Sequence, residues 1–195
     1  MHRIFPMCLD AAVAALVLAP LFLLLDRHYF RNFKRTVWYL VMAVYLSGMF
    51  AVVGLPDIRY IRFEPNINLV PFRYMFSDYA SSLLNVLLFL PLGFFLPVLW
   101  EHFKKLHWTL LFGFCTSLLI EVLQIFTFRA TDVNDLITNT FGTLVGWCLG
   151  RLVLRLVPSL HPSGKTGDVY AVCGVTFAVM FFLHPFLADR LWMYF

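Results

Sequence analysis

The stretch IEVLQIFTFRATDVNDLITNTFGTLVGWCLG (Ile120–Gly150) begins and ends as apolar helix. Between those ends it carries Glu121, Gln124, Arg129, Asp132, Asp135 and Asn139. It reads as two consecutive helices running in opposite directions, joined by a short connection, with polar groups at their facing ends. Glu121 and Gln124 are three residues apart and share a helix face. Asp132, Asp135 and Asn139 fall at i, i+3 and i+7, a second polar stripe. Arg129 in the connection can fork onto a carboxylate, and Asp132 and Asp135 suit the start of a helix, where the macrodipole favours negative charge. Further on, Gly142, Gly146 and Gly150 recur every fourth residue, a groove that lets a neighbouring helix approach closely.

The surroundings explain why so polar a patch is unusual. Of 195 residues 61% are hydrophobic, 18% aromatic and only 13% charged, whereas a soluble domain carries about 25% charged residues. Six apolar runs, Met7–Leu25, Val37–Leu55, Ala80–Trp100, Thr109–Thr127, Leu136–Val157 and Val169–Ala188, each approach the ~20 residues that span a bilayer as a helix. The expected fold is therefore an all-α integral membrane bundle of about six transmembrane helices, one membrane domain over residues 1–195. The loops 56–79 and 158–167 separate helices, and Asp10 and Pro20 interrupt the first run. Met1–Leu25 is expected to be a retained helix rather than a signal peptide, because Asp26-Arg27-His28 follows the leucine-rich end without a small-x-small cleavage pattern.

Other chemistries find little purchase. Cys8, Cys115, Cys148 and Cys173 lie inside apolar segments without a C-x-x-C pair, and the six histidines are scattered with none paired at i,i+4. Neither a metal site nor a cofactor is expected. The formal charge of +4 reflects loop bias and gives no reason to expect nucleic acid as a partner.

Lys and Arg concentrate in cytoplasmic loops. Six spans divide the loops into one set holding Arg27, Arg31, Lys34, Arg35, Lys104, Lys105, Arg151, Arg155 and Lys165, and another holding Arg3, Arg59, Arg62, Arg73, Arg129 and Arg190. The first set contains every lysine, so both termini are expected outside. Glu121 then lies roughly 9 Å below the outer boundary, Asn139 roughly 6 Å and Asn85 roughly 7 Å, from the helical rise. Asp10 falls at a comparable level, so four helices are expected to bring polar side chains to one layer of the outer leaflet. A carboxylate at the bilayer centre costs ~2.5–3.5 kcal/mol on insertion scales. Glu121 therefore calls for a hydrogen-bonding partner or a water-filled cavity. Simple ties between helices contribute only ~0.6 kcal/mol on average, which makes a functional layer the stronger expectation.

Two upstream segments bear on that layer. NINLVPFRYMF (Asn66–Phe76) is an outer loop with an apolar middle; Pro71 holds it extended or turned. It is expected to enter the membrane interface or fold over the bundle. Arg73 suits a phosphate or carboxylate, or equally a pairing with Asp78 or a lipid headgroup. NVLLFLPLGFFLP (Asn85–Pro97) places Pro91 inside a helix, where a missing N–H favours a kink.

Together these blocks resemble the signature of the VanZ-like membrane proteins. The resemblance covers roughly residues 66–150 with order and spacing intact. It rests on Asn68, Pro71, Phe72 and Arg73, on Asn85, Pro91 and Gly93, and on Glu121, Gln124, Arg129, Asp132, Asp135, Asn139 and Gly142. Phe128 departs from it, standing where a small residue is expected before the arginine. What the resemblance implies is a multi-pass protein of the bacterial cell membrane and envelope biology. The family's namesake is associated with low-level resistance to teicoplanin, a glycopeptide antibiotic with a lipid tail. The reaction, if any, and the oligomeric state are left open.

The favoured expectation is a binding protein. An outward-facing cleft lined by Arg73, Asn85, Glu121, Gln124, Arg129, Asp132, Asp135 and Asn139 would hold a lipid-anchored amphiphile. Membrane lipids, a lipid-linked cell-wall precursor and a lipoglycopeptide are the partner classes that fit. The alternative is an intramembrane hydrolase or transferase with Glu121 as its acid or base. Ser81, Ser82, Thr138 and Thr140 are weak nucleophile candidates there, having no histidine nearby in sequence. A transporter is third, because inverted repeats and broken midplane helices are not visible.

Overall fold

The protein is described here from a computed structural model that covers residues 4–59, 61–63, 65–72, 79–127 and 129–192, with side chains within 12–190. The chain is all-α and membrane-type. Among the described residues, five helical segments are long and apolar enough to cross a bilayer: Ala12–Phe30, Phe33–Val53, Tyr79–Leu99, Leu106–Gln124 and Thr166–Arg190. A sixth long helix, Val133–Leu156, has 24 residues, or about 36 Å of rise. Its length suffices, but Asn134, Asp135, Asn139, Arg151 and Arg155 make it the most polar of the long helices. The chain divides into two compact units, residues 62–166 and a second one built from 1–61 with 167–195.

The first unit holds α3 (Tyr79–Leu99), α4 (Leu106–Gln124) and α5 (Val133–Leu156). The glycine spacing of α5 decides how it packs. A Cβ at Gly142 would collide with the Val86 carbonyl, one at Gly146 with the Leu90 carbonyl and the Phe94 amide, and one at Gly150 would stand 2.8 Å from the Phe94 carbonyl oxygen. Contacts that advance by four residues on both helices mean that α3 and α5 run parallel with their backbones touching. Gly93 answers from α3, where a Cβ would meet the Thr143 carbonyl. Lipid tails offer no hydrophobic drive between helices, so such small-residue approach is what holds them. Helix α4 joins through Gly113, against which the Thr143 side chain rests. Pro91 and Pro97 lie inside α3, which stays helical through both.

Two short strands tie the ends of this unit. β1 (Ile67–Asn68) and β2 (Thr131–Asp132) pair in parallel, with Ile67 opposite Thr131 and Asn68 opposite Asp132. The loop expected at the interface is thus partly a strand laid beside the α4–α5 connection, while Leu69, Val70 and Phe72 remain exposed. At Pro71-Phe72 the chain turns, and Phe72 takes a left-handed φ of 62°. That conformation is costly for a side chain with a Cβ. The Phe72 N–H donates to Asn134 Oδ1 at 2.7 Å, which helps hold it.

The second unit holds α1 (Ile4–Leu25), α2 (Phe33–Val53), α6 (Thr166–Ala178) and α7 (His184–Trp192). Its core is built from bulk: Leu18, Phe22, Tyr39, Met42, Val169 and Val172 are fully buried. A π-helical turn, Asp26–Phe30, joins α1 to α2. The Asp26 carboxylate fastens that turn by accepting from Asn32 N at 2.9 Å and Thr36 Oγ1 at 2.7 Å. Asn32 caps α2, accepting from Arg35 N at 3.1 Å.

The last apolar run, expected as one helix, is interrupted by a π segment, Val179–Leu183, between α6 and α7. Pro185 supplies the reason. It has no N–H for the Phe181 carbonyl, and its ring crowds that oxygen in a regular helix, so the turn before it widens. The freed Phe181 oxygen accepts instead from Ile58 N at 3.3 Å.

Candidate functional site

The polar layer forms where α4 ends and α5 begins. Glu121 and Gln124 are buried on the last turns of α4, 4% and 5% exposed. The chain then leaves the helix at Ile125, passes through exposed Arg129 and enters β2. Glu121 receives it on both of its acceptor groups. Its carboxylate Oε2 accepts from Asp132 N at 2.9 Å and its carbonyl accepts from Thr131 Oγ1 at 2.9 Å. A carboxylate inside an apolar helix thus answers the backbone of the next element, a charge-assisted bond of the stronger kind.

Asp132 is the N-cap of α5. Its Oδ1 accepts from Asn134 N at 2.8 Å, and its Oδ2 accepts from Asn68 Nδ2 at 3.0 Å. One side chain therefore satisfies an orphan helix N–H and secures β1 as well. Asp135 lies in the first turn of α5 and is half-buried. Below it, Thr138 Oγ1 donates back to the Asn134 and Asp135 carbonyls at 3.0 and 3.2 Å. Asn139 is 4% exposed and its Nδ2 donates to Ser117 Oγ at 2.9 Å, across to α4. Thr143 Oγ1 donates to the Asn139 carbonyl at 3.0 Å.

Asn85 sits on α3, half-buried, with its Nδ2 enclosed. Gly142 touches α3 at Val86, so Asn85 stands within about one helical turn, ~5.4 Å along the axis, of the level of Asn139.

Of the residues expected from sequence, Glu121, Gln124, Asp132, Asp135, Asn139 and Asn85 all lie at this end of the three-helix unit. Arg129 projects from the connection beside them, its N–H donating to Thr127 Oγ1 at 3.3 Å. Arg73 and Phe128 lie outside the described residues, and so does the Asp10 side chain. The layer draws on three helices and a strand within one unit.

Sequence reading passed over Ser117, Asn134 and Thr143, and weighed Thr138 only as a weak nucleophile. Ser117 lies four residues before Glu121, on its face. Asn134 and Thr138 are one turn apart on α5, and Thr143 is one turn past Asn139. Ser117 and Thr143 were legible as i,i+4 continuations of the two stripes, whereas Asn134 lies off the Asp132–Asp135–Asn139 spacing.

A family profile described as VanZ/LLP1 matches residues 36–154, a range that takes in α2 through α5. Protein VanZ of Enterococcus faecium is 37% identical over 86 residues, covering 43% of this chain and 51% of that protein. The match thus spans about half the length of this curated relative. No solved structure matches the chain. Matched over residues 36–154, more than half its length, the chain belongs to the VanZ/LLP1 family.

Proposed function

We propose that this is a bacterial cell-envelope protein that binds a lipid-anchored amphiphile at the polar end of α3, α4 and α5 and thereby lowers sensitivity to lipoglycopeptides such as teicoplanin. The observation that carries the reading is the continuous hydrogen-bonded layer running from Asn68 through Asp132 to Glu121. It lies beside apolar helix surface, with Leu83, Leu84 and Leu87 of α3 exposed. A polar head and an apolar tail would each find matching chemistry there. In this reading the layer faces the outer surface, the side from which a glycopeptide arrives. Arg129 and Arg73 supply positive charge for an anionic head.

An acid–base role for Glu121 is the weaker reading. Its Oε2 is already engaged by the backbone of Asp132, a bond that positions the β2 segment rather than a reacting proton. A lipid-linked cell-wall precursor and a lipoglycopeptide share the tail-and-head plan, and either fits the proposal.

The test is teicoplanin susceptibility of a sensitive Gram-positive host expressing the wild type, Arg129→Ala or Glu121→Gln at matched membrane levels. Wild type should raise the inhibitory concentration, and Arg129→Ala, at an exposed position of the connection, should abolish the gain. No protection by the wild type, or equal protection by all three, would refute the role.

A further inference from the structure

Two amide atoms in the layer are left over. Asn139 spends its Nδ2 on Ser117, and its Oδ1 is enclosed with no hydrogen-bond partner among the described residues. Asn85 Nδ2 is likewise enclosed and without a partner. An unmet polar atom in such surroundings costs the full desolvation of that group. One orphan is a donor and the other an acceptor, and the parallel seam sets both at nearly one level, since Gly142 of α5 meets Val86 of α3.

We infer that Asn85 and Asn139 form a subsite for a headgroup hydroxyl, of a glycerol or a sugar, on the amphiphile that the layer binds. This rests on the binding role proposed above and deepens it. A hydroxyl has one donor and two lone pairs, so it takes a bond from Asn85 Nδ2 and gives one to Asn139 Oδ1. A bare phosphate or carboxylate oxygen has nothing to give Asn139, and an ammonium has no lone pair for Asn85. The buried amides thus select the neutral hydroxyl of a head, while the exposed Arg129 meets its charge. A resident water has the same bonding pattern and is the rival occupant.

The test uses the full-length protein in lauryldimethylamine oxide micelles, a detergent without hydroxyls, and reads binding by native mass spectrometry. Dioleoyl phosphatidylglycerol is compared with dioleoyl phosphatidylmethanol, which has the same charge and tails but no head hydroxyl. The expected result is about tenfold tighter binding of phosphatidylglycerol, the usual worth of meeting such a pair. That preference should disappear in Asn85→Leu, which removes no described hydrogen bond, and in Asn139→Leu, with helicity and melting temperature checked for each. Monoglucosyl dioleoylglycerol, measured against its per-O-methylated form, locates the hydroxyl. A larger preference there than in the first pair assigns the subsite to sugars, and a smaller one assigns it to glycerol.

Equal affinity within both wild-type pairs, the outcome if water fills the subsite, overturns the hydroxyl site and leaves the amphiphile-binding role standing. So does a preference that persists in a folded Asn85→Leu. Absence of saturable binding by any of the lipids overturns the subsite and counts against the binding role too.

Discussion

The α3–α5 seam and the α1–α2 pair are both contacts between apolar helices, but they are made of opposite materials. In the seam, glycines on α5 lay backbone directly on backbone. Between α1 and α2 the fill is side chain: Leu18, Phe22, Tyr39 and Met42 are fully buried, and Phe30 meets Tyr39 edge-on at 4.9 Å. Glycines in this second unit carry no such duty, since a Cβ at Gly48 or Gly174 meets nothing within 4 Å. Polar groups follow the same division. The α4–α5 end carries a network through which one residue serves several elements. In the other unit Tyr39 OH donates to Asp168 Oδ2 at 2.8 Å, both groups buried, a bond from α2 to α6. A rigid backbone seam can hold a polar layer in fixed register, whereas side-chain packing can readjust around its polar contacts.

That contrast can be broken most sharply at the seam. Gly146→Leu should abolish stable folding, because the obstacle is the Leu90 and Phe94 backbone and not a movable side chain. Even Gly146→Ala should cost about 1–3 kcal/mol as overpacking, read as lowered resistance to SDS titration of the micellar protein. Unchanged unfolding by Gly146→Ala would mean the helices do not touch as described.

Next come the acids. Glu121→Ala removes the acceptor of Asp132 N and should cost about 1–3 kcal/mol, with Glu121→Gln, which keeps an acceptor oxygen, losing less. Tyr39→Phe deprives buried Asp168 of one donor and should cost about 0.6–2 kcal/mol. Thermal melts followed by circular dichroism would compare the three. A greater loss for Tyr39→Phe than for Glu121→Ala would reverse the ranking of the α4–α5 layer over the α2–α6 bond.

The helix caps offer a finer comparison. Asp132→Ala forfeits bonds to Asn134 N and Asn68 Nδ2, whereas Asn32→Ala forfeits one exposed bond to Arg35 N. About 2 kcal/mol against about 0.5–1 kcal/mol is expected from the range for N-caps. Equal effects, in the same melts, would argue that the bond to β1 carries no weight.

The smallest effect has the opposite sign. Gly174→Ala on α6 has open space for its methyl and should be neutral or stabilising by up to about 1 kcal/mol, through helix propensity alone. A destabilised Gly174→Ala protein would show a contact at α6 that the structure lacks.

The sequence by itself determined the membrane class, the helical segments and the stripes, because each rests on local period. Apolar runs near 20 residues, an acid three before a glutamine, and glycines every fourth residue all follow from the 1.5 Å rise and 3.6-residue turn. It also placed Asp132 and Asp135 at the start of α5, where acidic groups suit the macrodipole.

Only the tertiary structure decided which partners those stripes meet. Nothing local joins Asn68 to Asp132, 64 residues away, or selects Ser117 for Asn139. Those pairings exist because the glycine seam fixes the distance and level of α3 and α5, and α4 is then seated against Thr143. Likewise, Pro185 announces a disturbed helix in sequence, but that the Phe181 carbonyl it frees would be answered by Ile58 depends on a loop more than 120 residues earlier in the chain. Local periodicity says which face of a helix is polar; long-range contact alone says what that face binds.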